Sequence, residues 1–353
     1  MVRLLGMTLE ELQNVAAETG MPRFAAKQIA QWLYQKNVAD IDEMTNISKA
    51  MRERLAGRYV VGVNAPAERQ ISTDGTEKYL FKTEGGLCVE TVYIPDGERA
   101  TLCVSTQVGC KMNCLFCQTG KQGFDGNLTV ADILGQVSWA QREKGLTNLV
   151  LMGQGEPFDN LDNVMKALER LTADDGFGWS PRRITVSTVG LRKNLRRFLD
   201  ESQCHLAISL HSPIHEQRLT LMPAERQFPI EEIVETLREY DFCKKSGRGE
   251  QIAEGAHQRR LSFEYIMFKG LNDSLLHAKT LVKLLRGLEC RVNLIRFHQI
   301  PGVELEGTEP GTMLAFRNYL TQHGLFTTIR ASRGQDIFAA CGLLSTAKQL
   351  GKS

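Results

Sequence analysis

Residues 101–120 read TLCVSTQVGCKMNCLFCQTG, a β-prone apolar run that leads into three cysteines, Cys110, Cys114 and Cys117. A structural zinc site wants four ligands and usually shows two close pairs, whereas this triplet, spaced by three and then two residues, has no second cluster nearby. Thiolates also hold iron–sulfur clusters, and a cubane held by three of them leaves one iron free for an exogenous ligand. Taken alone, the triplet also suits three reduced core cysteines, or a zinc completed by a distant histidine.

Downstream, the same pattern of strand and unusual strand end repeats. The β-rich runs ATLCVSTQVG, NLVLM, RITVST, HLAISL, LSFEYIMF and RVNLIRF alternate with helical patterns near 129–144, 160–171, 191–200, 230–243, 274–287 and 311–323. Six βα units imply a parallel sheet. Six is fewer than the eight of a closed barrel, so the expected fold is α/β, an open, partial (β/α)6 TIM-like barrel with its chemistry at the strand C-terminal ends.

Upstream, residues 7–58 carry apolar spacings of three and four, with Thr8 three residues before Glu11 as a capping box. Residues 59–95 switch to short alternating runs, YVVGV, EKYLFKT and CVETVYIP, separated by the turn signals TDGT and EGG. The expected division is a helical accessory domain at 1–58, a strand-rich connector at 59–95, a catalytic core at 96–345 and a tail at 346–353. The polar stretch at 243–260 reads as a surface loop.

Composition narrows the class. A chain of 353 residues with 42% hydrophobic content can bury a barrel-sized core. It has no apolar run of about 18 residues, and its N-terminal stretch is acidic where a signal peptide would be apolar, so a cytoplasmic protein without membrane contact is expected. Nine cysteines, an odd number, argue for reduced thiols rather than a disulfide framework. A net charge of +2 neither demands nor excludes a nucleic-acid partner.

The cysteine segment resembles the CxxxCxΦC signature of the radical S-adenosylmethionine (SAM) enzymes, Phe116 being the aromatic before the last cysteine. The resemblance implies a [4Fe-4S] cluster on Cys110, Cys114 and Cys117, with the amino and carboxylate groups of SAM on the open iron and a 5'-deoxyadenosyl radical as the product of one-electron cleavage. GQGEP (153–157), one strand later, matches the superfamily's SAM-amine motif, with Gly153 and Gly155 admitting close approach and Glu156 accepting from an ammonium.

The runs VETVYIP (89–95), TLCVSTQVGCKMNCLFC (101–117), RRITVSTVG (182–190), AISLHSP (207–213), VNLI (292–295) and RGQDIFAACG (333–342) resemble the RlmN family. That resemblance covers the chain in order and implies methylation of C2 of an adenosine in 23S rRNA and of the adenosine beside the anticodon in some tRNAs. Adenine C2 has no lone pair with which to attack a sulfonium methyl, which explains the need for radical chemistry. By the family pattern, Cys341 carries the methyl group and Cys103 resolves the protein–RNA adduct through a disulfide. Glu90 matches the proton acceptor, and Ser187, Ser209, Leu210, His211 and His298 match SAM-contacting positions. Two SAM molecules per turnover, an electron donor such as flavodoxin or ferredoxin, and a monomeric state complete the expectation.

Three departures from the family pattern stand out: Gln154 for a usual Met, His298 for a usual Asn, and Leu343 for a usual polar residue. For RNA, the basic candidates are Arg182, Arg183, Arg192, Lys193, Arg196, Arg197, Lys244, Lys245, Arg248, Arg259 and Arg260. The like-charge i, i+4 pairs Arg192/Arg196 and Lys193/Arg197 would favour a polyanion, although a solvated basic face is the plainer reading. Trp32 reads as core. Two alternatives remain open: methylation at C8, as in the relative Cfr, and a non-catalytic RNA-binding protein with a structural metal.

Overall fold

The computed structural model describes residues 1–243 and 259–346. Lys244, Lys245, Arg248 and most of the tail lie outside the described residues.

The backbone of the fold is a ten-stranded sheet whose spatial order follows chain order: β1 (Glu68–Ile71), β2 (Glu77–Lys82), β3 (Cys88–Asp96), β4 (Arg99–Cys103), β5 (Asn148–Leu151), β6 (Ile184–Thr188), β7 (His205–Ser209), β8 (Leu261–Met267), β9 (Arg291–Arg296) and β10 (Phe326–Ile329). From β4 to β10 every neighbour is parallel. From β1 to β4 the strands run antiparallel. The first and last strands do not pair, so the barrel stays open.

The six strands read from the sequence are β4 to β9. β10 is a seventh parallel strand, FTTI, placed after the sixth helix. It is short and threonine-rich and leaves Phe326 on the surface, so it offers no apolar run to find. The residues expected to form a connector hydrogen-bond onto β4 and extend the same sheet.

Helices follow the strands and cover the outer face. The first, Val130–Lys144, starts at a capping box in which Thr129 accepts from the Asp132 amide. Leu161–Thr172 buries Leu161, Val164, Leu168 and Leu171 along one stripe. The others span Arg192–Glu201, Ile230–Leu237, Leu275–Leu284 and Pro310–Gln322. Among the described residues no helix is long and apolar enough to cross a membrane.

The N-terminal helices, Leu9–Glu18, Ala25–Ala30 and Lys49–Ala56, pack onto this outer layer. The Thr8 box forms as expected: the Thr8 amide donates to Glu11 at 2.7 Å and the Glu11 amide to Thr8 Oγ1 at 3.2 Å. Leu12, Ile29 and Leu33 share one continuous core with Leu134, Val137, Val186 and Phe263. Polar ties reinforce it, with Arg3 2.6 Å from Asp132 and Asn37 Nδ2 donating to the Ser138 carbonyl at 2.9 Å. Trp32 lies half-buried against that core, with its indole N–H donating to Asn46.

Candidate active site at the carboxyl ends of the strands

The cysteine loop is bracketed by a two-stranded ribbon, Gln107–Gly109 against Phe124–Asn127. Gly109 makes this closure possible: its φ is +72°, and a Cβ there would lie 1.8 Å from the Gly123 carbonyl oxygen. Cys110 N–H donates to that same oxygen at 2.8 Å, and Cys117 N–H to Cys114 O at 3.1 Å. The three thiols therefore reach the cavity from a loop fixed at both ends.

That cavity, about 150 Å³, sits where the parallel strands end. Its lining includes all three cysteines, Met152 and Gly153 after β5, Ser187 and Thr188 of β6, Ser209 and His211 around the end of β7, and Ile266, Ile295 and Arg330 from β8 to just beyond β10. Burial pushes the Cys110 thiol up to about 12, and it raises Cys114 and Cys117 as well. Such thiols ionise only when a cation takes them as ligands.

Glu156 faces the same space from a buried position. Its carboxylate accepts from the Phe158 and Val189 amides, each at 2.9 Å, while burial raises its pKa to about 7. The glycines of GQGEP line the cavity and also pack closely on the preceding loop. A Cβ on Gly153 would meet Ser105 Oγ at 2.6 Å, and one on Gly155, whose φ is +100°, would meet Gln107 Cβ at 2.6 Å. The close approach they permit is to residues 104–107 of this chain.

His211 Nδ1 accepts from the Ile266 amide at 2.9 Å, which leaves the proton of the neutral ring on Nε2. Its ring packs edge-on against Phe116, 4.7 Å between centroids. Ser209, the last residue of β7, and His211, whose φ is +56°, line the cavity, while the Leu210 side chain between them is buried in the main core and leaves only its backbone to face that end of the strand.

A second cavity, about 170 Å³, adjoins the first. Cys103, His298, Ser332 and Gly342 line it, and Cys117, Met152, Arg330 and Cys341 line both cavities. Cys341 is exposed, and no disulfide joins any of the nine cysteines. Burial pushes the Cys103 thiol up to about 12. His298, expected beside SAM, lines the second cavity with Cys103, 3.0 Å from Ser332 Oγ. Glu90 lines neither cavity: its carboxylate pairs with Lys78 at 2.9 Å and accepts from the Ser345 amide at 2.8 Å.

Comparisons with known proteins agree across the chain. Residues 2–61 match the family described as the ribosomal RNA large subunit methyltransferase N-terminal domain, and residues 104–247 match the radical SAM superfamily. A Bacteroides fragilis protein named probable dual-specificity RNA methyltransferase RlmN is 64% identical over 98% of this chain and 97% of its own length. The chain belongs to the RlmN family. A Halorhodospira halophila RlmN is 43% identical over 97% of the chain and 93% of its own length. The crystal structure of a radical SAM methyltransferase from Sphaerobacter thermophilus superposes with a TM-score of 0.89 at 39% identity, covering 98% of this chain and 99% of that one. Membership of the radical SAM superfamily implies a [4Fe-4S] cluster and SAM.

Against the RlmN pattern, Gln154 has a visible role. It is buried, its Oε1 accepts from the Glu90 amide at 2.9 Å, and its Nε2 faces Gln122 Oε1 at 3.4 Å, linking β3 to the segment that holds residues 345 and 346. Nothing in the structure explains Leu343.

Two charged residues at the site were not singled out from the sequence. Glu264 is buried on β8, accepts from Asn293 Nδ2 at 2.7 Å and pairs with Arg330 at 3.2 Å. The Cys341 sulfur, then Glu264 and Cys103, hold the Arg330 guanidinium above its ordinary pKa against its burial. The available signal was a charge inside the apolar run LSFEYIMF and another directly after a strand.

The basic candidates fare unevenly. Arg192 pairs with Glu232 at 2.9 Å, Arg196 makes a two-pronged contact with Glu239, and Arg197 pairs with Asp162 and Glu201, so the expected repulsion along that helix is already neutralised. Arg259 is buried and donates to the Leu199 carbonyl at 2.9 Å. Arg182 and Arg183 precede β6, and Arg260 precedes β8. All three therefore sit at the strand ends opposite the cavity.

Proposed function

We propose that this chain is a radical SAM RNA methyltransferase that methylates C2 of an adenosine in 23S rRNA and of the adenosine beside the anticodon in some tRNAs. Cys341 is the methyl carrier and Cys103 the resolving thiol. One observation carries this reading: Cys341 is the exposed thiol that lines both the three-cysteine cavity and the cavity holding Cys103. A methyl carrier has to meet the donor on one side and the RNA and the resolving thiol on the other.

Cys110, Cys114 and Cys117 would hold the cluster, which when bound supplies the electron for reductive cleavage of SAM. Two SAM molecules per turnover meet the demand for one methyl group and one radical. Glu156 suits the SAM ammonium, since a buried carboxylate gains most from a cation placed beside it. Ser187, Ser209 and the His211 Nε2–H supply hydrogen-bonding groups around the same space. Arg330, paired with Glu264, brings positive charge beside the Cys341 sulfur that takes the methyl group.

After addition to the base, the Cys103 sulfur attacks the Cys341 sulfur. The S–S bond forms as the S–CH2 bond breaks, and the methylene carbon keeps the electron pair and takes a proton to become the methyl group. The methylated adenine leaves, C2 having already lost its hydrogen as a proton together with one electron that the oxidised cluster would accept. Glu90 stays the assigned proton acceptor, and its use requires release from Lys78 or Ser345. Electrons come from a small carrier protein such as flavodoxin or ferredoxin.

The test compares two variants incubated with SAM, reductant and a 23S rRNA fragment on denaturing gels. Cys103→Ala should trap RNA covalently on the protein, whereas Cys341→Ala should give no adduct and no product. An adduct with Cys341→Ala, or free methylated RNA from Cys103→Ala, would overturn the assignment.

A further inference from the structure

Residues 330–346 cross the mouth of the second cavity as a strap fixed at both ends. Upstream, Gly334 N–H donates to Asp74 at 2.9 Å, Ser72 Oγ to Asp336 at 2.6 Å, and Arg333 pairs with Asp96 at 3.1 Å. Downstream, Gln118 N–H donates to the Gly342 carbonyl at 2.8 Å, Thr119 Oγ1 to that of Leu344 at 2.6 Å, and Thr346 N–H to Gln122 at 2.8 Å. Between these ties, Ile337 and Ala339 pack inward on Val92 and Leu344.

Phe338 alone among residues 337–340 points outward. It is 64% exposed, and its φ of +52° lies in a region that side-chain-bearing residues rarely adopt. Neither the core nor the chain path calls for an aromatic ring there, since its neighbours already fill the apolar space beneath. An outlier held in place by a braced strap next to a reactive residue points to function.

We infer that Phe338 is a stacking platform for an unpaired nucleobase next to the target adenosine. This rests on the RNA-methylating reading above. Phe338 and Cys341 are three positions apart, so their Cα atoms are no more than about 11 Å apart. A ring at that distance meets a nucleotide adjacent to the one that reaches the thiol.

The surroundings favour a base over an apolar protein surface. Gln335 and Asp336 beside the ring are exposed and polar, so it forms no extended patch of the kind protein partners cover. Arg296, exposed at the end of β9 between residues that line the cavities, supplies positive charge for phosphates on this side of the molecule. An isolated exposed ring combined with positive charge along the same face is the usual means of holding single-stranded RNA without reading its sequence.

The experiment uses the full-length, cluster-loaded enzyme and a stem-loop RNA carrying the target adenosine. F338A and F338L should each raise Kd and KM for this RNA about tenfold, the scale of one lost base–aromatic stack. The kcat at saturating RNA should stay within about twofold of wild type, and F338W should bind like wild type. Replacing one neighbouring nucleotide with an abasic residue should weaken wild-type binding to the level of F338A and leave F338A unchanged, because both changes delete one contact. The loss should persist at high salt, since stacking releases no counterions. F338A and F338L enzymes within about twofold of wild type in KM, or additive losses with both abasic neighbours, would sink the platform. If wild-type enzyme transfers no methyl group to RNA at all, it is the functional reading that fails instead.

Discussion

Two histidines flanking one strand, His205 and His211, are held neutral, chiefly by burial, which pushes each pKa down to about 3. In both, Nδ1 already accepts a backbone N–H, from Arg260 at 3.0 Å and from Ile266 at 2.9 Å, so that nitrogen cannot take a proton without losing its partner. The unfolded chain takes up protons below the ordinary value of 6.5 while the folded chain does not. Each depressed histidine therefore contributes stability that is complete above pH 6.5 and is lost as pH falls toward 3. For His205, on the order of 2 kcal/mol should disappear between pH 7 and 5, at about 1.36 kcal/mol per pKa unit. Urea unfolding of wild type and His205→Asn at both pH values checks this: the variant should show a smaller loss on acidification, and an equal loss in the two proteins would refute it. At this scale the sequence was legible where residues act locally. The Thr8 box, the Cys117-to-Cys114 turn and the Glu156-to-Phe158 contact all join residues within a few positions of one another. That the Leu210 side chain points into the core while its neighbours Ser209 and His211 line the cavity was not legible, because the chain leaves β7 at that point. Arg330 and Glu264 stayed hidden because they meet only through the pairing of β8, β9 and β10.

The ends of β6 and β7 depend on a single buried pair. Arg218 is fully buried, bonds to Glu225, and donates to the carbonyls of Ser209 at 2.9 Å, Leu210 at 3.0 Å and Val189 at 3.2 Å. Those carbonyls belong to the segments that present Ser187, Ser209 and His211, so the pair fixes one wall of the site. Breaking such a pair from one side leaves an uncompensated buried charge. Glu225→Gln should therefore cost about 3–5 kcal/mol in urea unfolding, and the double change Arg218→Met with Glu225→Leu should cost clearly less. A double variant as unstable as the sum of its single changes would contradict this. The alternation of strands and helices was readable because each element carries its own periodicity. The neutralisation of Arg192, Arg196 and Arg197 was not, since Glu232, Glu239 and Asp162 come from other elements.

For the whole molecule, the seven parallel strands bring widely separated stretches of chain to one end of the sheet, where Cys341 borders both cavities. The order of the motifs made the fold and the family readable before any coordinate, because each motif marks the end of one strand. What sequence could not give was which cavity each residue faces, as His298 and Glu90 illustrate. The central claim is that Cys341 relays a methyl group from one cavity to the other. The most direct measurement follows an isotope-labelled methyl group in the reduced, cluster-loaded enzyme, first without RNA and then after RNA is added. Label should appear on the Cys341 peptide first and then move to C2 of adenosine. Label that reaches RNA without ever residing on Cys341, or that persists on the protein after Cys341→Ala, would contradict the relay.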